Sequence, residues 1–197
     1  MNFSGTLNAF RLLTQPHLCL PHSTFATFDK IPIPVSQALV QANGGKEPDI
    51  KAVVLDKDNC FARSKENSVH PPYKAQFETL RQRYPGKHIL IVSNSAGTSS
   101  DPNGREASLL NKATGIDVFR HATKKPGCGQ DVFEHLRGNS QLGITHAGQV
   151  VIVGDRLFTD IMMANLIGAW GIWIRDGVVR NDGMVSSNCS LKTSIAR

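Results

Sequence analysis

The stretch AVVLDKDN, residues 52–59, runs from a short apolar segment into two acids separated by one residue. An apolar run closed by polar turn formers predicts a buried strand of a parallel sheet. Asp56 and Asp58 would then lie at the carboxyl end of that strand, where open α/β sheets place their ligands. Because two carboxylates this close repel one another, we expect a positive group between them, and Mg²⁺ takes oxygen ligands of this kind. The stretch therefore predicts a phosphoryl-transfer site with one nucleophilic and one acid/base carboxylate.

Composition limits the class of protein and of partner. A length of 197 residues fits one domain with a real core, and 40% hydrophobic and 19% charged residues are ordinary for a soluble globular protein. No apolar run approaches the roughly 20 residues of a membrane-spanning helix. The formal net charge of +6 favours anionic partners, either phosphorylated substrates or an anionic membrane surface. We expect no nucleic-acid partner, because no long basic tract is interleaved with aromatic residues.

The number and spacing of the four cysteines argue against a cysteine metal site, a disulfide scaffold and a cysteine nucleophile. No pair has the spacing of metal ligands, and the count is low for a disulfide scaffold, which indicates a reducing compartment. Phosphatases with a cysteine nucleophile carry Cys-x5-Arg, but Glu66 follows Cys60 and Glu134 follows Cys128 at that distance. Structural roles are therefore expected for the cysteines.

The first 50 residues are predicted to form an amphipathic segment and a connector. Residues 1–28 contain no acid, and apolar residues recur within residues 3–13 at the spacing of one helix face. This pattern indicates a mitochondrial targeting segment, a helix lying on a membrane, or equally a helix packed on the domain's own core. Residues 14–50 are rich in Pro, Ser and Gly and predict a connector. Residues 178–197 predict a polar, loosely ordered tail.

Between these ends, residues 51–177 predict strands that alternate with helices. The predicted strands lie at about 51–55, 88–92, 116–119, 150–153 and 169–174, and the predicted helices at about 73–84, 104–113, 128–137 and 161–166. This alternation predicts an α/β fold, with a parallel five-stranded sheet, helices on both faces and right-handed crossovers. Each polar cluster that follows a strand would then converge on one edge of the sheet.

Three further polar clusters fall at the ends of predicted strands or at the start of a predicted helix. Ser93 and Asn94 follow the second strand, Lys125 precedes a proline and a helix, and Asp155 and Asp160 follow the fourth strand. Each cluster alone is a weak signal, but their order and their common position at strand ends predict one site.

Local alternatives stay open for three of these assignments. Ser93 could only cap the following helix, and Asp160 could only interact with a helix dipole. Lys124 could be the site residue in place of Lys125.

In this order the motifs resemble those of the haloacid dehalogenase superfamily of phosphatases, over roughly residues 50–177. The matching motifs are Asp56-x-Asp58, Ser93, Lys125 before proline, and Gly154-Asp155 with Asp160. Longer segments around these motifs resemble one branch of the superfamily, the mitochondrial phosphatidylglycerophosphatases. These segments are LDKDNC, VSN, TKKPGC, GDRLFTDI and WIRDG. That branch dephosphorylates phosphatidylglycerophosphate on the path to cardiolipin. The resemblance implies a Rossmann-like fold, an anionic phospholipid substrate, and the matrix side of the mitochondrial inner membrane.

The resemblance also implies a role for each acid. Asp56 would attack phosphorus and form an aspartyl-phosphate, and Asp58 would protonate the leaving alkoxide and then activate water. Asp56, Asp155 and the backbone carbonyl of Asp58 would hold Mg²⁺, with Asp160 in support.

Ser93, Asn94 and Lys125 would bind the phosphoryl oxygens, and Lys125 would also offset charge on the nucleophile. Basic residues that could read the lipid head group, although each is more commonly a solvent-facing charge, are Arg120, His121, Lys124, Arg156 and Arg175.

The spacing between motifs leaves no room for a large cap domain, because ordinary elements fill both intervals in which caps insert. An open site suits a head group presented at a membrane surface, to which residues 3–13 could bind. Rival hypotheses are a phosphatase for a soluble phosphomonoester or a phosphoprotein, and a catalytically silent scaffold. A receiver domain is less consistent with the chain, since its phosphorylated Asp follows the third strand, where this chain has Arg120 and His121.

Overall fold

The computed structural model describes residues 14–178, so the amphipathic segment predicted at residues 3–13 and the predicted tail after residue 178 lie outside the described residues. The strands are β1 (Ser23–Phe25), β2 (Ala52–Leu55), β3 (Ile89–Ile91), β4 (Asp117–Val118), β5 (Val150–Gly154) and β6 (Trp170–Ile174). The α-helices of the described chain are α1 (Lys74–Arg83), α2 (Arg105–Thr114), α3 (Gly129–Arg137) and α4 (Met162–Ile167).

All six strands are parallel, in the order β1-β6-β5-β2-β3-β4. From β2 the chain builds outward through β3 and β4, and it then returns to the other side of β2 with β5 and β6. The direction of winding therefore reverses between β2 and β5. In open α/β sheets this switch point, at the carboxyl ends of the strands, is where ligands bind.

The sheet is covered on both faces, which confirms the predicted α/β class. Along β2, Val53 and Leu55 pack into one apolar core while Ala52 and Val54 pack into the other, as the two-residue period of a strand requires. Helices α1 and α2 contribute to the first core and α3 and α4 to the second. Both faces of β2 and β5 are buried, so their carboxyl ends form one edge of a rigid scaffold.

The prediction of five strands is wrong by one, because residues 14–50 are more than a connector. Ser23–Phe25 forms an edge strand that pairs with β6, and the 3₁₀ turns that follow bury Phe28, Val35 and Leu39 in the first core. A strand of three residues is too short to show a period of two, and its Pro- and Ser-rich surroundings predict loop.

The remaining elements follow the predictions closely. Each helix begins and ends within one residue of its predicted bounds, and Gly115 and Gly168 end α2 and α4 in the left-handed conformation, at φ +68° and +76°. Between β2 and α3 the described chain adds only α1, β3, α2, β4, short 3₁₀ turns and the loops 56–70, 92–104 and 119–128, which confirms the absence of a large cap domain. No helix in residues 14–178 is long and apolar enough to cross a membrane.

Candidate active site

Three carboxylates meet at the switch point of the sheet. Asp56 directly follows β2 and Asp155 directly follows β5, and the Asp56 backbone N–H donates to the Val153 carbonyl oxygen at 2.8 Å, which continues the β2–β5 ladder. Asp160 lies in a π-helical turn, Leu157–Ile161, which the sequence analysis did not predict. One oxygen from each of Asp56, Asp155 and Asp160 lies within 4.8 Å of the other two.

Lys125 is buried among these carboxylates. Its Nζ forms ion pairs with Asp56 Oδ1 and, at 2.6 Å, with Asp160 Oδ1, and only 2% of the residue is exposed. The Lys125 backbone N–H donates to Asn94 Oδ1 at 2.8 Å, so the loop after β3 holds the lysine in place. Lys124 is half-buried and makes no such contact, and Lys125 is therefore the lysine of this cluster.

Gly154 and Asp160 form a matched pair in the GDRLFTD motif. A Cβ atom on residue 154 would clash with the Asp160 side chain, so only glycine lets that carboxylate turn back toward β5. Asp160 is 1% exposed, and its Oδ2 accepts the Arg156 backbone N–H at 3.1 Å while Oδ1 binds Lys125. Asp160 therefore does more than interact with a helix dipole.

The Asp58 side chain is held apart from the three-carboxylate cluster. Its Oδ1 lies 3.0 Å from Lys57 Nζ and accepts the Lys65 backbone N–H at 2.9 Å, and its Oδ2 accepts the Ser95 hydroxyl at 3.2 Å. Lys57, Lys65 and Ser95 were not predicted as site residues from the sequence. The one available signal was the position of Lys57 between the two acids.

Ser93 is fully buried, with its Oγ 3.0 Å from Ser95 Oγ. The alternative that Ser93 caps the next helix is wrong, because α2 begins only at Arg105. Asp101 instead accepts backbone N–H groups of the first turn of α2. Direct contact of Ser93 with a phosphoryl group stays a prediction. Ser95, which bonds both Ser93 and Asp58, lines the open groove beside the site.

Three residues predicted to contact the head group have other surroundings in the described chain, and contact with a head group stays a prediction for each. His121 is buried, and its ring nitrogens lie 3.0 Å from the Ser93 carbonyl oxygen and 2.7 Å from the Thr123 carbonyl oxygen, so the ring connects two loops. Arg120 lines a different groove, beside β4. Arg175 is paired with the neighbouring Asp176.

Burial makes the carboxylates costly to ionise without a further cation. Burial raises the pKa of Asp56 to about 7; Lys125 opposes that shift, while the nearby Asp160 and Asp155 carboxylates add to it. Burial also raises the pKa of Asp155 to about 6, and Asp160 adds to this shift. Asp155 Oδ1 is buried without a hydrogen bond, since Arg156 Nε is 3.8 Å away. Three converging carboxylates with one unbonded oxygen fit a hard divalent cation.

An open groove of about 640 Å³ begins beside this cluster. Asn94 and Ser95 form one part of its lining and Asp58 another. Lys124 and Arg156 also line it, and their contact with a head group stays a prediction. The groove also contains Lys57, Ser64, Lys65 and Glu106.

Asp56 thus lies at the switch point of a parallel sheet, with a lysine and two further acids at the same edge. This is the arrangement expected from the resemblance of the motifs to phosphatases of the haloacid dehalogenase class. The chain belongs to the mitochondrial PGP phosphatase family, whose model matches residues 3–179. It is therefore an enzyme of the phosphatase type.

Relatives support this assignment over nearly the whole chain. The mitochondrial phosphatidylglycerophosphatase GEP4 of Saccharomyces cerevisiae is 49% identical over 178 residues, which cover 90% of this chain and 89% of the relative. A probable mitochondrial phosphatidylglycerophosphatase of Schizosaccharomyces pombe is 34% identical, covering 94% and 88%. The chloroplastic phosphatidylglycerophosphate phosphatase 1 of Chlamydomonas reinhardtii is 38% identical, covering 62% of this chain and 44% of the relative.

Proposed function

We propose that this protein is a Mg²⁺-dependent phosphatase that converts phosphatidylglycerophosphate to phosphatidylglycerol in cardiolipin biosynthesis. The observation that carries the proposal is the buried Lys125, which bridges Asp56 and Asp160 beside Asp155 at the switch point of the sheet. The names of the relatives support the lipid substrate and a mitochondrial location. The matrix side of the inner membrane is part of the proposal, because the resemblance of the motifs to that branch implies it.

The reaction would proceed in two steps at Asp56. An Asp56 carboxylate oxygen attacks phosphorus, the bond from phosphorus to the glycerol oxygen breaks, and Asp58 gives its proton to that leaving oxygen. Asp58 then removes a proton from water, which attacks the aspartyl-phosphate, releases inorganic phosphate and restores Asp56. The separation of Asp58 from the Lys125 cluster suits this division, because the acid/base group must exchange protons while the nucleophile stays ionised.

The charged groups around Asp56 would stabilise both transfers by electrostatics more than by covalent chemistry. Mg²⁺, held by Asp56, Asp155 and the Asp58 carbonyl with support from Asp160, would offset negative charge on the phosphoryl oxygens. Lys125 opposes the rise in the pKa of the buried Asp56, so it lowers the cost of ionising the nucleophile, and it adds a fixed positive charge. Asn94 and the Ser93–Ser95 hydroxyl pair lie on the β3 side, where they would orient the phosphoryl group.

The Mg²⁺ assignment predicts a metal effect on stability that grows with pH. The pKa of Asp56 rises from 3.8 in the unfolded chain to about 7 in the fold, so its contribution to stability is complete below pH 3.8 and is lost as pH rises through about 7. Mg²⁺ binds ionised carboxylates and would reverse that loss.

We therefore expect millimolar Mg²⁺ to raise the Tm by about 5 °C at pH 8 and by much less near pH 5.5. The Asp131→Asn variant changes an exposed acid on α3 and should show the same response as the unaltered protein. Equal Tm shifts at the two pH values would contradict metal binding by these carboxylates.

The substrate is tested by phosphate release from phosphatidylglycerophosphate in mixed micelles and in vesicles, with Mg²⁺. Glycerol 3-phosphate, p-nitrophenyl phosphate, nucleotides and a phosphopeptide are assayed alongside. Lipid turnover well above that of the soluble esters supports the proposal. Turnover of soluble esters without turnover of the lipid would be consistent with the proposed mechanism but would refute the proposed lipid substrate. Absence of any turnover by folded protein would favour the scaffold hypothesis.

We also propose that the protein docks on an anionic membrane surface beside the groove, in addition to any contact by residues 3–13. Phe158 is 62% exposed in the turn between Asp155 and Asp160, two residues after the exposed Arg156. Leu20 is 64% exposed, and its carbonyl accepts from Asn165 of α4, the helix that follows that turn. Large apolar side chains beside cations are typical of membrane-surface binding.

Phe158→Ser is expected to lower binding to phosphatidylglycerol-containing vesicles by about tenfold, because an exposed aromatic ring loses its burial in the lipid interface. Turnover of p-nitrophenyl phosphate should not change, since the exposed Phe158 ring is not part of the carboxylate cluster. Leu109→Ser, which removes an exposed leucine on α2, is the matched control. Vesicle co-sedimentation measures the binding, and equal binding by both variants would refute this surface.

A further inference from the structure

We propose that the groove beside the catalytic carboxylates contains a second anion subsite, formed by Lys65, Lys124 and Arg156, that binds the phosphodiester of the substrate while the monoester lies at Asp56. The three side chains come from different loops, after β2, after β4 and after β5, and line the same groove. The identity of the anion rests on the proposed function.

The backbone of Lys65 has an unusual conformation of the kind that is found at functional sites. Its φ is +68°, in the left-handed region that non-glycine residues rarely adopt. Its backbone N–H donates to Asp58 Oδ1 at 2.9 Å, which fixes the strained residue against the acid/base carboxylate. Strain that is fixed in this way is commonly found at functional sites. The consequence is that the Lys65 side chain is carried into the groove next to Asp58.

Lys124 and Arg156 are positioned by the catalytic cluster itself. Lys124 precedes Lys125, whose backbone N–H is bonded to Asn94 across the site. Arg156 follows Asp155, its backbone N–H is bonded to Asp160, and 57% of its side chain is exposed. Each cation is therefore one residue away from a residue of the cluster, and the subsite is built at a fixed distance from Asp56.

The charges in the groove do not cancel. The acids on its lining are Asp58, which already pairs with the buried Lys57 at 3.0 Å, and Glu106, which accepts a hydrogen bond from Asn67 at 2.8 Å. Within residues 14–178, Lys65 and Lys124 form no ion pair with any carboxylate. Arg156 Nε lies 3.8 Å from Asp155 Oδ1, a long ion pair that leaves 57% of the arginine side chain exposed. Lys65 and Lys124, together with this exposed arginine, thus face one acid without a cationic partner, Glu106, which favours an anionic ligand.

The geometry of the substrate matches this arrangement. Phosphatidylglycerophosphate carries a terminal monoester and, across one glycerol unit, a singly charged diester. Asp58, Asn94 and Ser95 belong both to the reaction site and to the groove, so a substrate whose monoester reaches Asp56 continues along the groove toward the three cations. Simple phosphomonoesters have no second anion to bind there. The subsite would therefore select the lipid head group against glycerol phosphate.

Two water-soluble substrates test the subsite without a membrane. Glycerophosphoglycerophosphate, the deacylated head group, carries both phosphates, whereas glycerol 3-phosphate carries only the monoester. We expect kcat/KM to favour the former by more than about tenfold, the effect of one charged hydrogen bond. Lys65→Met and Lys124→Met should each lower this preference about tenfold, mainly through KM. Lys112→Met removes an exposed lysine on α2, outside the groove, and should leave the preference unchanged.

Glycerophosphoglycerol, which carries the diester alone, provides an independent readout. It should inhibit lipid hydrolysis competitively, with an inhibition constant about tenfold higher for Lys65→Met, and added salt should weaken it. No preference between the two substrates, or an equal preference and equal inhibition in Lys65→Met and Lys112→Met, would overturn the subsite while lipid turnover persists. Absence of lipid turnover by the unaltered protein would instead overturn the proposed function.

Discussion

Asp56→Asn is expected to abolish phosphate release, with a loss in kcat of about 10⁴-fold or more, as for the removal of other covalent nucleophiles. An amide has almost the shape of a carboxylate, but its oxygen is a poor nucleophile and carries no charge for a cation. The loss should be equal for phosphatidylglycerophosphate and for p-nitrophenyl phosphate, because it concerns the reacting atoms and not recognition of the lipid.

Asp56→Asn is also expected to leave the stability of the fold unchanged or to raise it. Since the pKa of Asp56 is raised to about 7, the fold favours the neutral form of this side chain. We therefore expect Asp56→Asn, without Mg²⁺ at pH 8, to be at least as stable to heat as the unaltered protein, and to gain less from added Mg²⁺. A dead but well-folded variant of this kind separates loss of the nucleophile from loss of the fold.

Asp117→Asn provides the matched control, because it removes an exposed acid on β4, far along the sheet from β5. It should retain activity on both substrates within about twofold, as surface substitutions usually do. If Asp56→Asn kept a tenth or more of the activity, an aspartyl-phosphate on Asp56 would be ruled out, and water activated directly by the site would become the better mechanism.

The catalytic edge of the sheet could be predicted from the sequence because each of its strands can be recognised from its own apolar run. All residues of β2 and β5 are buried, so the change from apolar to acidic at Asp56 and at Asp155 is abrupt. Parallel strands place their carboxyl ends at one edge, and the order of the motifs then brought Asp56, Lys125 and Asp155 to one point. Neither step needs knowledge of any long-range contact.

The features that were missed depend on contacts between residues distant in sequence or on an unusual backbone. β1 is a strand because it pairs with the edge of β6, and its three residues, Ser-Thr-Phe, are too few to show a two-residue period in the sequence. Lys57 and His121 would be expected at the surface by residue type. Lys57 is buried because Asp58 and the Glu66 carbonyl accept from its ammonium, and His121 because two backbone carbonyls lie at its ring nitrogens.

The cations of the groove show that the place where an anion binds also depends on contacts that the sequence does not reveal. The net charge of +6 predicts an anionic partner but does not say where it binds. Lys124 and Arg156 could be proposed because they adjoin motif residues, whereas Lys65 lies in a polar loop without a motif. Its position depends on the left-handed backbone at residue 65 and on the bond to Asp58, which only the structure reveals.

Lys125→Met is expected to cost both stability and catalysis. Methionine keeps the apolar length of lysine, so the packing is retained, but Asp56 and Asp160 lose their shared ammonium partner in a buried site. Removing one partner of a buried ion pair typically costs about 3–5 kcal/mol in the free energy of unfolding. We also expect kcat to fall about 10³-fold, the range for a lost electrostatic donor.

The stability cost should depend on pH and on metal. Without Lys125 the remaining carboxylates can avoid a buried charge only by taking up protons, so the cost should be largest near pH 8 and smaller near pH 5.5. Mg²⁺ should restore part of the stability of Lys125→Met at pH 8, since it supplies positive charge to the same oxygens, but should not restore kcat. Denaturant unfolding at both pH values, with and without Mg²⁺, measures the free energy of unfolding of Lys125→Met and of the unaltered protein.

Lys124→Met is the control for this experiment, because it removes a neighbouring lysine that contacts none of the three carboxylates. Its free energy of unfolding should change by no more than about 0.5 kcal/mol at either pH. If Lys125→Met were as stable as Lys124→Met at pH 8 and retained its kcat, the ammonium charge of Lys125 would contribute neither to stability nor to catalysis. The charge on Asp56 would then have to be balanced by the metal alone, and Mg²⁺ would be required for folding as well as for turnover.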